Sequence, residues 1–194
     1  MPQVSRPVPV LPEARLRDVR GLRPHPKDQN VTALAPRLFA VTEGKTSDEC
    51  YTPKSLFDQL DIEFDLDPAS CPKELSAVPA RRIYTIEDDG LSQRWEGRVW
   101  LNPPYSKASP WVHRFIDHGH GIALLPASRN ARWHHRIWAV ADGVTMWDGR
   151  FIRPNGEADS IPYQVYLWAL GADCADAISR VGPVRSIHHS STQT

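Results

Sequence analysis

Residues 98–106 read RVWLNPPYS, a short apolar strand that ends in a rigid polar corner. The side chains at 99–101 are of types favoured in β-strands. The two prolines that follow lack an N–H and hold the residue before each of them extended. The segment therefore cannot continue a sheet beyond residue 101. It presents the amide of Asn102, backbone carbonyls and the ring of Tyr105, which are groups suited to hold a planar amine.

Strand and helix patterns alternate along the rest of the chain. Residues 62–67 alternate apolar and acidic side chains, as a strand does, and residues 121–126 are continuously apolar, as in a strand buried on both faces. Residues 130–141 have the spacing of an amphipathic helix, and residues 143–152 and 163–170 indicate a hairpin. This order predicts an α/β fold of three layers, whose mostly parallel sheet ends in an antiparallel hairpin strand.

Composition divides the chain into three parts. We expect an extended arm rich in proline and arginine at residues 1–45, a folded domain at 46–182 and a flexible tail at 183–194. Residues 1–42 hold seven basic side chains against three acidic ones, a net charge of +4, while the formal charge of the whole chain is zero. The arm is interpreted either as a phosphate-binding segment or as a solvated arm without a partner.

Composition also argues against several classes of protein. No apolar run approaches the length of a membrane span, and the first residues lack the apolar core of a signal peptide. Cys50, Cys71 and Cys174 are too far apart for a disulfide framework or a structural zinc site, and the histidines lack matching ligands. We expect a cytoplasmic protein with no bound metal and no membrane partner. The sequence does not indicate its oligomeric state.

Two other segments place polar groups where ligands bind. Thr52 and Pro53 precede the apolar stripe of a predicted helix, and we expect Thr52 to be its N-cap and Pro53 its first residue. Asp67 ends the strand at 62–67, and open α/β sheets bind ligands beyond the carboxyl ends of their strands.

The corner at Asn102 suits one kind of chemistry. The exocyclic amine of adenine is a weak nucleophile because its lone pair is delocalised into the ring. An enzyme that methylates it must accept hydrogen bonds from both N–H groups, hold the ring flat and align the nitrogen with an activated methyl group. Asn102 Oδ1 and the Pro103 carbonyl can be the acceptors, and Tyr105 can be the stacking face. A base in a duplex reaches such a pocket only when flipped out.

The sequence of the corner also resembles a known family. Asn102, Pro103, Pro104 and Tyr105 match the catalytic Asn/Asp-Pro-Pro-Tyr/Phe motif of amino methyltransferases. Further segments are similar to the phage-type DNA N6-adenine methyltransferase (Dam-like) family, in the same order and over about residues 48 to 170. They read YTP at 51–53, LDPAS at 66–70, DDGL at 88–91, LLPA at 124–127 and DGRF at 148–151.

The resemblance implies a Rossmann-like methyltransferase sandwich that uses S-adenosylmethionine to methylate the N6 amine of a flipped adenine in double-stranded phage or prophage DNA. It implies a catalytic role for the four corner residues. The residues that it implies for cofactor binding are Tyr51, Thr52, Pro53, Asp67, Pro68, Ala69, Asp88 and Asp89. The substrate-binding candidates are Tyr105, Ser106, Ser128, Arg129 and Arg132.

Two alternatives stay open at the level of sequence. An amide and a carbonyl can also hold an adenine of RNA, the N4 amine of cytosine or a glutamine side chain of a protein. In addition, the loop at 68–72 lacks the glycines that usually follow the acidic strand. A DNA-binding protein that has lost its cofactor site is therefore the second alternative.

Overall fold

The structure, a computed structural model, describes residue 48 and residues 50–186. The predicted arm at 1–45 and the end of the predicted tail lie outside the described residues. Four α-helices and nine strands follow one another in the part of the chain that is described. They are α1 (Lys54–Leu60), β1 (Phe64–Asp67), β2 (Ala80–Ile83), β3 (Val99–Leu101), α2 (Ala108–His118), β4 (Gly121–Pro126), α3 (Arg132–Val140), β5 (Gly143–Trp147), β6 (Phe151–Ile152), β7 (Ala158–Asp159), β8 (Val165–Leu170), α4 (Ala172–Ser179) and β9 (Arg185–Ser186).

Seven of the strands form one sheet in the order β2-β1-β3-β4-β8-β5-β9. The first four are parallel to one another. β8 is antiparallel to both of its neighbours, β4 and β5, so β5 runs in the same direction as the first four strands. β9 is antiparallel to β5, and β6 and β7 form a separate small hairpin. The prediction of an α/β fold with a mostly parallel sheet is therefore confirmed.

The antiparallel strand does not lie at the end of the sheet as predicted. β5 and β8 do pair as a hairpin, but β8 is inserted between β4 and β5. All six residues of β4 are buried, and β3 pairs with only one side of this strand. The other side of β4 must therefore also be covered by an apolar strand. β8, which reads VYLWAL, provides that cover.

The core lies on both faces of the sheet. β4 contributes alternate residues to each face, with Ile122 and Leu124 in one apolar cluster and Ala123 and Leu125 in the other. Buried side chains of α1 and α4 belong to the first cluster, and those of α2 and α3 to the second. Among the described helices, none is long and apolar enough to cross a membrane.

The predicted start of the first helix needs correction. Pro53, with φ −71° and ψ 148°, is the N-cap of α1, and Thr52 makes no capping hydrogen bond. The predicted N-cap, Thr52, lies one residue before the observed one. Its hydroxyl accepts a hydrogen bond from Asn102 Nδ2 instead. Arg185 and Ser186, which belong to the segment predicted as a tail, pair with β5.

Candidate active site

Three neighbouring parallel strands end at the carboxyl edge of the sheet, the edge formed by the C-terminal ends of its parallel strands. β3 lies between β1 and β4, and all three run in the same direction. Asp67 is the last residue of β1, Asn102 follows β3, and Ser128 lies two residues beyond β4. The topology therefore places three of the predicted site segments at the same edge, where open α/β sheets bind ligands.

A cavity of about 880 Å³ opens between the loops that follow β1, β2 and β3. The predicted site residues that line it are Tyr51, Thr52, Asp67, Pro68, Ala69, Asp89, Asn102, Pro104 and Ser106. The predicted residues that are not among its lining are Pro53, Asp88, Pro103, Tyr105, Ser128, Arg129 and Arg132. The two halves of the prediction, cofactor segments and corner, thus share one cavity.

The Asn102 amide is held by the segment that precedes α1. Its Nδ2 donates to the Cys50 carbonyl at 3.0 Å and to Thr52 Oγ1 at 3.3 Å. Within the described part of the chain Oδ1 accepts no hydrogen bond, so the acceptor of this amide is the atom left for a ligand. The half-buried Asn102 thus presents a hydrogen-bond acceptor, which is what the N–H groups of an incoming amine require.

Tyr105 is fixed by contacts at both its hydroxyl and its ring. The hydroxyl donates to the Leu124 carbonyl at 3.2 Å. The ring packs edge-on against Phe151, with centroids 6.4 Å apart, and lies 6.2 Å from the ring of Tyr163. Burial raises the pKa of the Tyr105 phenol well above its usual value, so the hydroxyl stays protonated at neutral pH.

The segment before α1 is attached at three places. Asp48 accepts hydrogen bonds from Ser106 N at 3.0 Å and from Ser106 Oγ at 2.5 Å. Tyr51 and Ile152 exchange two backbone hydrogen bonds of 2.9 and 2.8 Å. The third attachment is the contact with Asn102. Sequence reasoning did not find the role of Asp48, because a pairing across almost sixty residues has no local signal.

Asp67 is an acidic side chain with little access to water. It is 3% exposed and lines the cavity. Its Oδ1 accepts a hydrogen bond from Ala69 N at 3.2 Å. Burial disfavours the charged form more than the nearby Ser70 hydroxyl and this bond favour it, and the pKa of Asp67 rises to about 7.

The acidic residues in the loop after β2 have different surroundings. Asp88 Oδ2 accepts hydrogen bonds from Thr85 N at 2.8 Å and from Thr85 Oγ1 at 3.0 Å, so this carboxylate closes a turn. Asp89, at φ 49°, lines the cavity, and so does Glu87, which the sequence analysis missed. Glu87 is the first acidic residue after β2, and that position was the available signal.

Two other lining residues were also missed. Ser70 Oγ is buried and makes no hydrogen bond of good geometry with the described residues, although it lies near Asp67. Lys107, in the 3₁₀ turn that begins at Tyr105, brings a positive charge to the cavity. Neither belongs to a pattern that stands out in sequence, because single serines and lysines are common in loops.

The basic residues after β4 lie on the surface. Arg129 and Arg132 are exposed, and Ser128 is half-buried. The Ser128 carbonyl accepts a hydrogen bond from Ala131 N at 2.8 Å, in the turn that leads into α3. These side chains lie at the same edge of the sheet as Asn102 but outside the cavity.

Among the described residues, one group has the composition of a metal site. The ligand atoms of His120, Asp173 and Cys174 lie within 4.8 Å of one another. The group lies before β4 and at the start of α4, at the opposite edge of the sheet from Asn102. Arg98 Nε and Nη2 donate to Asp173 at 3.0 and 2.5 Å, and His120 Nε2 lies 3.1 Å from it. Although burial raises the pKa of Asp173, these hydrogen bonds hold it at about 2.

The guanidinium of Arg98 already neutralises the carboxylate of this group, which disfavours a second cation there. The sequence-based expectation that no metal is bound stays a prediction.

The chain matches a known family over the part that contains the cavity. The sequence model of the family described as DNA N-6-adenine-methyltransferase (Dam) matches residues 40–160, more than half of the chain. The chain belongs to this family. The Dam match includes the segment before α1, the Asn102 corner and the β6–β7 hairpin, and β8 lies beyond it.

Two phage proteins named DNA N-6-adenine-methyltransferase are similar to this Dam-family chain. The protein of Escherichia phage T1 is 33% identical over 109 residues, which are 48% of this chain and 44% of the phage protein. The protein of Haemophilus phage HP1 (strain HP1c1) is 35% identical over 78 residues, which are 37% of this chain and 43% of the phage protein. The chain spans less than half the length of the curated relatives it matches.

Proposed function

We propose that this chain methylates the N6 amine of adenine in phage or prophage DNA, with S-adenosylmethionine as the methyl donor. The observation that carries the proposal is the Asn102 amide, whose Nδ2 is engaged by the protein and whose Oδ1 is left as an acceptor beside a large cavity. Membership of the Dam family and the names of both phage relatives support adenine in DNA as the substrate.

We further infer that the fold is a Rossmann-like methyltransferase sandwich of three layers. The parallel strands β2, β1, β3 and β4 support this proposal, as does the reversed strand β8 beside them. The two apolar clusters support it as well, because each contains the buried residues of two helices.

The cavity has properties that fit S-adenosylmethionine. Its volume of about 880 Å³ falls in the range of about 300–1,000 Å³ that is usual for small-molecule sites. The buried Ser70 Oγ, without a well-placed partner among the described residues, and the buried carboxyl of Asp67 both line it. A buried polar group of this kind is stabilised by a ligand that completes its hydrogen bonds.

When bound, S-adenosylmethionine supplies an electrophilic methyl group. The residues that we assign to holding it are Tyr51, Thr52, Asp67, Pro68, Ala69, Ser70, Glu87 and Asp89, all of which line the cavity. Asp67 offers an anionic partner for a cationic group of the ligand. Pro53 and Asp88 act on the site through backbone shape, since one precedes α1 and the other closes the turn at Thr85.

The acceptor side of the reaction belongs to the corner. Asn102 Oδ1 and the Pro103 carbonyl accept hydrogen bonds from the two N–H groups of the adenine amine, which favours a localised lone pair on nitrogen. Tyr105 stacks on the base, and its contacts with Leu124 and Phe151 keep the ring from rotating. The base must leave the duplex to reach these groups.

The DNA backbone is contacted from the loops beside the corner. Ser128 supplies a hydroxyl group there, and Arg129 and Arg132 supply exposed positive charges, whereas the Ser106 hydroxyl already donates to Asp48. Such contacts to phosphate orient a duplex without reading its sequence.

The direct test is methyl transfer by the purified full chain to plasmid DNA from a host without adenine methylation. With a donor labelled in the methyl group, we expect the label in N6-methyladenine. Asn102→Ala and Tyr105→Ala should each lower kcat about 100-fold or more, as the loss of a group that acts on the reacting atoms does. Tyr105→Phe is the matched control, because it keeps the ring and loses only the bond to Leu124.

Label in RNA or protein but not in DNA would contradict the proposal. So would unchanged turnover in both alanine variants. A chain that has lost its cofactor site would not bind S-adenosylhomocysteine in calorimetry, whereas we expect binding in the micromolar range.

A further inference from the structure

The Asn102 side chain poses a problem of polarity. An amide ends in an acceptor, Oδ1, and a donor group, Nδ2H₂, which have nearly the same shape. A half-turn about the last bond of the side chain would present hydrogen atoms to an incoming amine. Donor would then face donor, and the site would repel the group it has to hold. Something in the protein must therefore select one of the two orientations.

Two acceptors from one short segment make that selection. The Cys50 carbonyl lies 3.0 Å and Thr52 Oγ1 3.3 Å from Asn102 Nδ2, so both amide hydrogens have a partner. In the reversed orientation Oδ1 would face the Cys50 carbonyl, and two acceptors would meet. A carbonyl cannot change its polarity, and burying a polar group without a hydrogen bond is costly.

The two acceptors are themselves held in place. Cys50 is 7% exposed and Thr52 6% exposed. Tyr51, which lies between them, exchanges two backbone hydrogen bonds with Ile152, and Asp48 receives two hydrogen bonds from Ser106. The segment is thus bonded on one side to the β6–β7 hairpin and on the other to the corner that it orients.

We propose that the Cys50 carbonyl and the Thr52 hydroxyl are positioning groups that fix the Asn102 amide with Oδ1 as the free acceptor. Thr52 then serves turnover through Asn102, in addition to lining the cofactor cavity. The inference rests on the proposed function, because it assigns a task to the acceptor half of that site.

The kinetic test is Thr52→Val, which keeps the shape of the side chain and removes its oxygen. We expect kcat for DNA methylation to fall about ten-fold, the effect of roughly one hydrogen bond on a rate. The affinity for S-adenosylhomocysteine should fall by a smaller factor than kcat, and Thr52→Ser should restore most of kcat. The matched control is Thr145→Val, which removes another buried hydroxyl, bonded to the Pro183 carbonyl at 2.9 Å.

A second measurement is independent of activity. In amide exchange followed by nitrogen-15 NMR, the Asn102 side-chain NH₂ should exchange with water more slowly than that of the exposed Asn130. Thr52→Val should accelerate that exchange, because one of the two hydrogens loses its acceptor. Assignment of the signal follows from its disappearance in Asn102→Ala.

The outcomes separate the two proposals. A wild-type chain that methylates no DNA but protects the Asn102 NH₂ would overturn the proposed function and leave the positioning role standing. Equal exchange rates for Asn102 and Asn130 would overturn the positioning role. So would a Thr52→Val variant whose kcat is unchanged, or whose loss of kcat is matched by an equal loss of S-adenosylhomocysteine affinity.

Discussion

At the scale of single residues, Asp67 shows how burial sets the state of a site. Its carboxyl is almost without access to water, and the hydrogen bond from Ala69 N compensates only in part. With a pKa of about 7, the group is close to half protonated at neutral pH. A cationic ligand in the cavity would favour its charged form, and binding would release a proton.

The first prediction concerns the free energy of unfolding of the unliganded chain. The folded pKa of Asp67, about 7, lies above its ordinary value of 3.8, so the folded state binds more protons between these values. The contribution of Asp67 to stability is therefore lost as pH rises from about 4 to 7, by at most ~4 kcal/mol. Urea unfolding of wild type and Asp67→Asn at pH 5 and pH 8 checks this.

In that measurement Asp67→Asn should lose less stability than wild type between the two pH values. Parallel behaviour of the two proteins would show that Asp67 is not the titrating group.

The roles of some single residues could be predicted from the sequence, and those of others could not. The corner at Asn102 could be predicted because two adjacent prolines constrain the backbone in any context. The choice among Glu87, Asp88 and Asp89 could not, because it depends on a turn that Asp88 closes with Thr85. Asp48 could not be predicted either, since its partner Ser106 is distant in sequence.

At the scale of elements, the loops after β1 and β2 form two walls of the cavity and touch at Gly90. A Cβ on Gly90 would lie 1.9 Å from the Pro68 carbonyl oxygen and 3.3 Å from Tyr84 Cβ. The close approach of these loops requires a residue without a Cβ at position 90. The glycine that permits close packing here belongs to the second loop instead of the first.

The second prediction is that Gly90→Ala moves these two loops apart. We expect the free energy of unfolding to fall by about 1–3 kcal/mol, the usual effect of overpacking. The affinity for S-adenosylhomocysteine should fall as well, because Pro68 and Gly90 both line the cavity. Chemical unfolding and calorimetry measure the two effects.

Ile86→Ala is the control for stability, because Ile86 is in the same loop and is 96% exposed. An equal loss of stability in both variants would mean that the loop tolerates no substitution at all, and the contact between Gly90 and Pro68 would not be the cause.

Element types could be predicted more readily than their pairing. The continuous apolar run of β4 indicates a buried strand, and its observed bounds, Gly121–Pro126, are the predicted ones. The place of β8 beside β4 could not be read from sequence, because these two strands are separated by α3, β5 and the β6–β7 hairpin. A local sequence pattern specifies that a segment forms a strand. The neighbour of that strand depends on which other apolar strand in the fold still has an unpaired side.

At the scale of the whole molecule, charge is distributed unevenly. The formal net charge is zero, and the net +4 of residues 1–42 leaves a net −4 on the remainder. An acidic body is repelled by DNA at long range, so attraction must come from local positive groups. In the described part of the chain, Arg129 and Arg132 are exposed at the edge of the sheet that carries Asn102.

The third prediction is that the double variant Arg129→Ala and Arg132→Ala raises the KM for DNA several-fold and leaves the affinity for S-adenosylhomocysteine unchanged. The dependence of DNA affinity on salt should also weaken, by about 0.9 in the log–log slope for each phosphate that the variant no longer neutralises. DNA binding measured by fluorescence anisotropy over a range of salt concentrations checks both effects.

Arg81→Ala is the control for the removal of positive charge. Arg81 is exposed on β2, which is the outermost strand on one side of the sheet. The same change in slope for Arg81→Ala would assign the effect to overall charge and not to the loop after β4.

The insertion of β8 between β4 and β5 has a consequence for how the chain is made. The segments around the cavity all precede β8, so they leave the ribosome before the strand that joins β4 to β5 exists. Until residues 165–170 are translated, β4 and β5 each present an open edge, and open edges pair with other chains. Nascent chains interrupted before this point are expected to aggregate although they already contain every residue of the catalytic corner. The strand that joins β4 to β5 is thus available only after residues 165–170 have been synthesised.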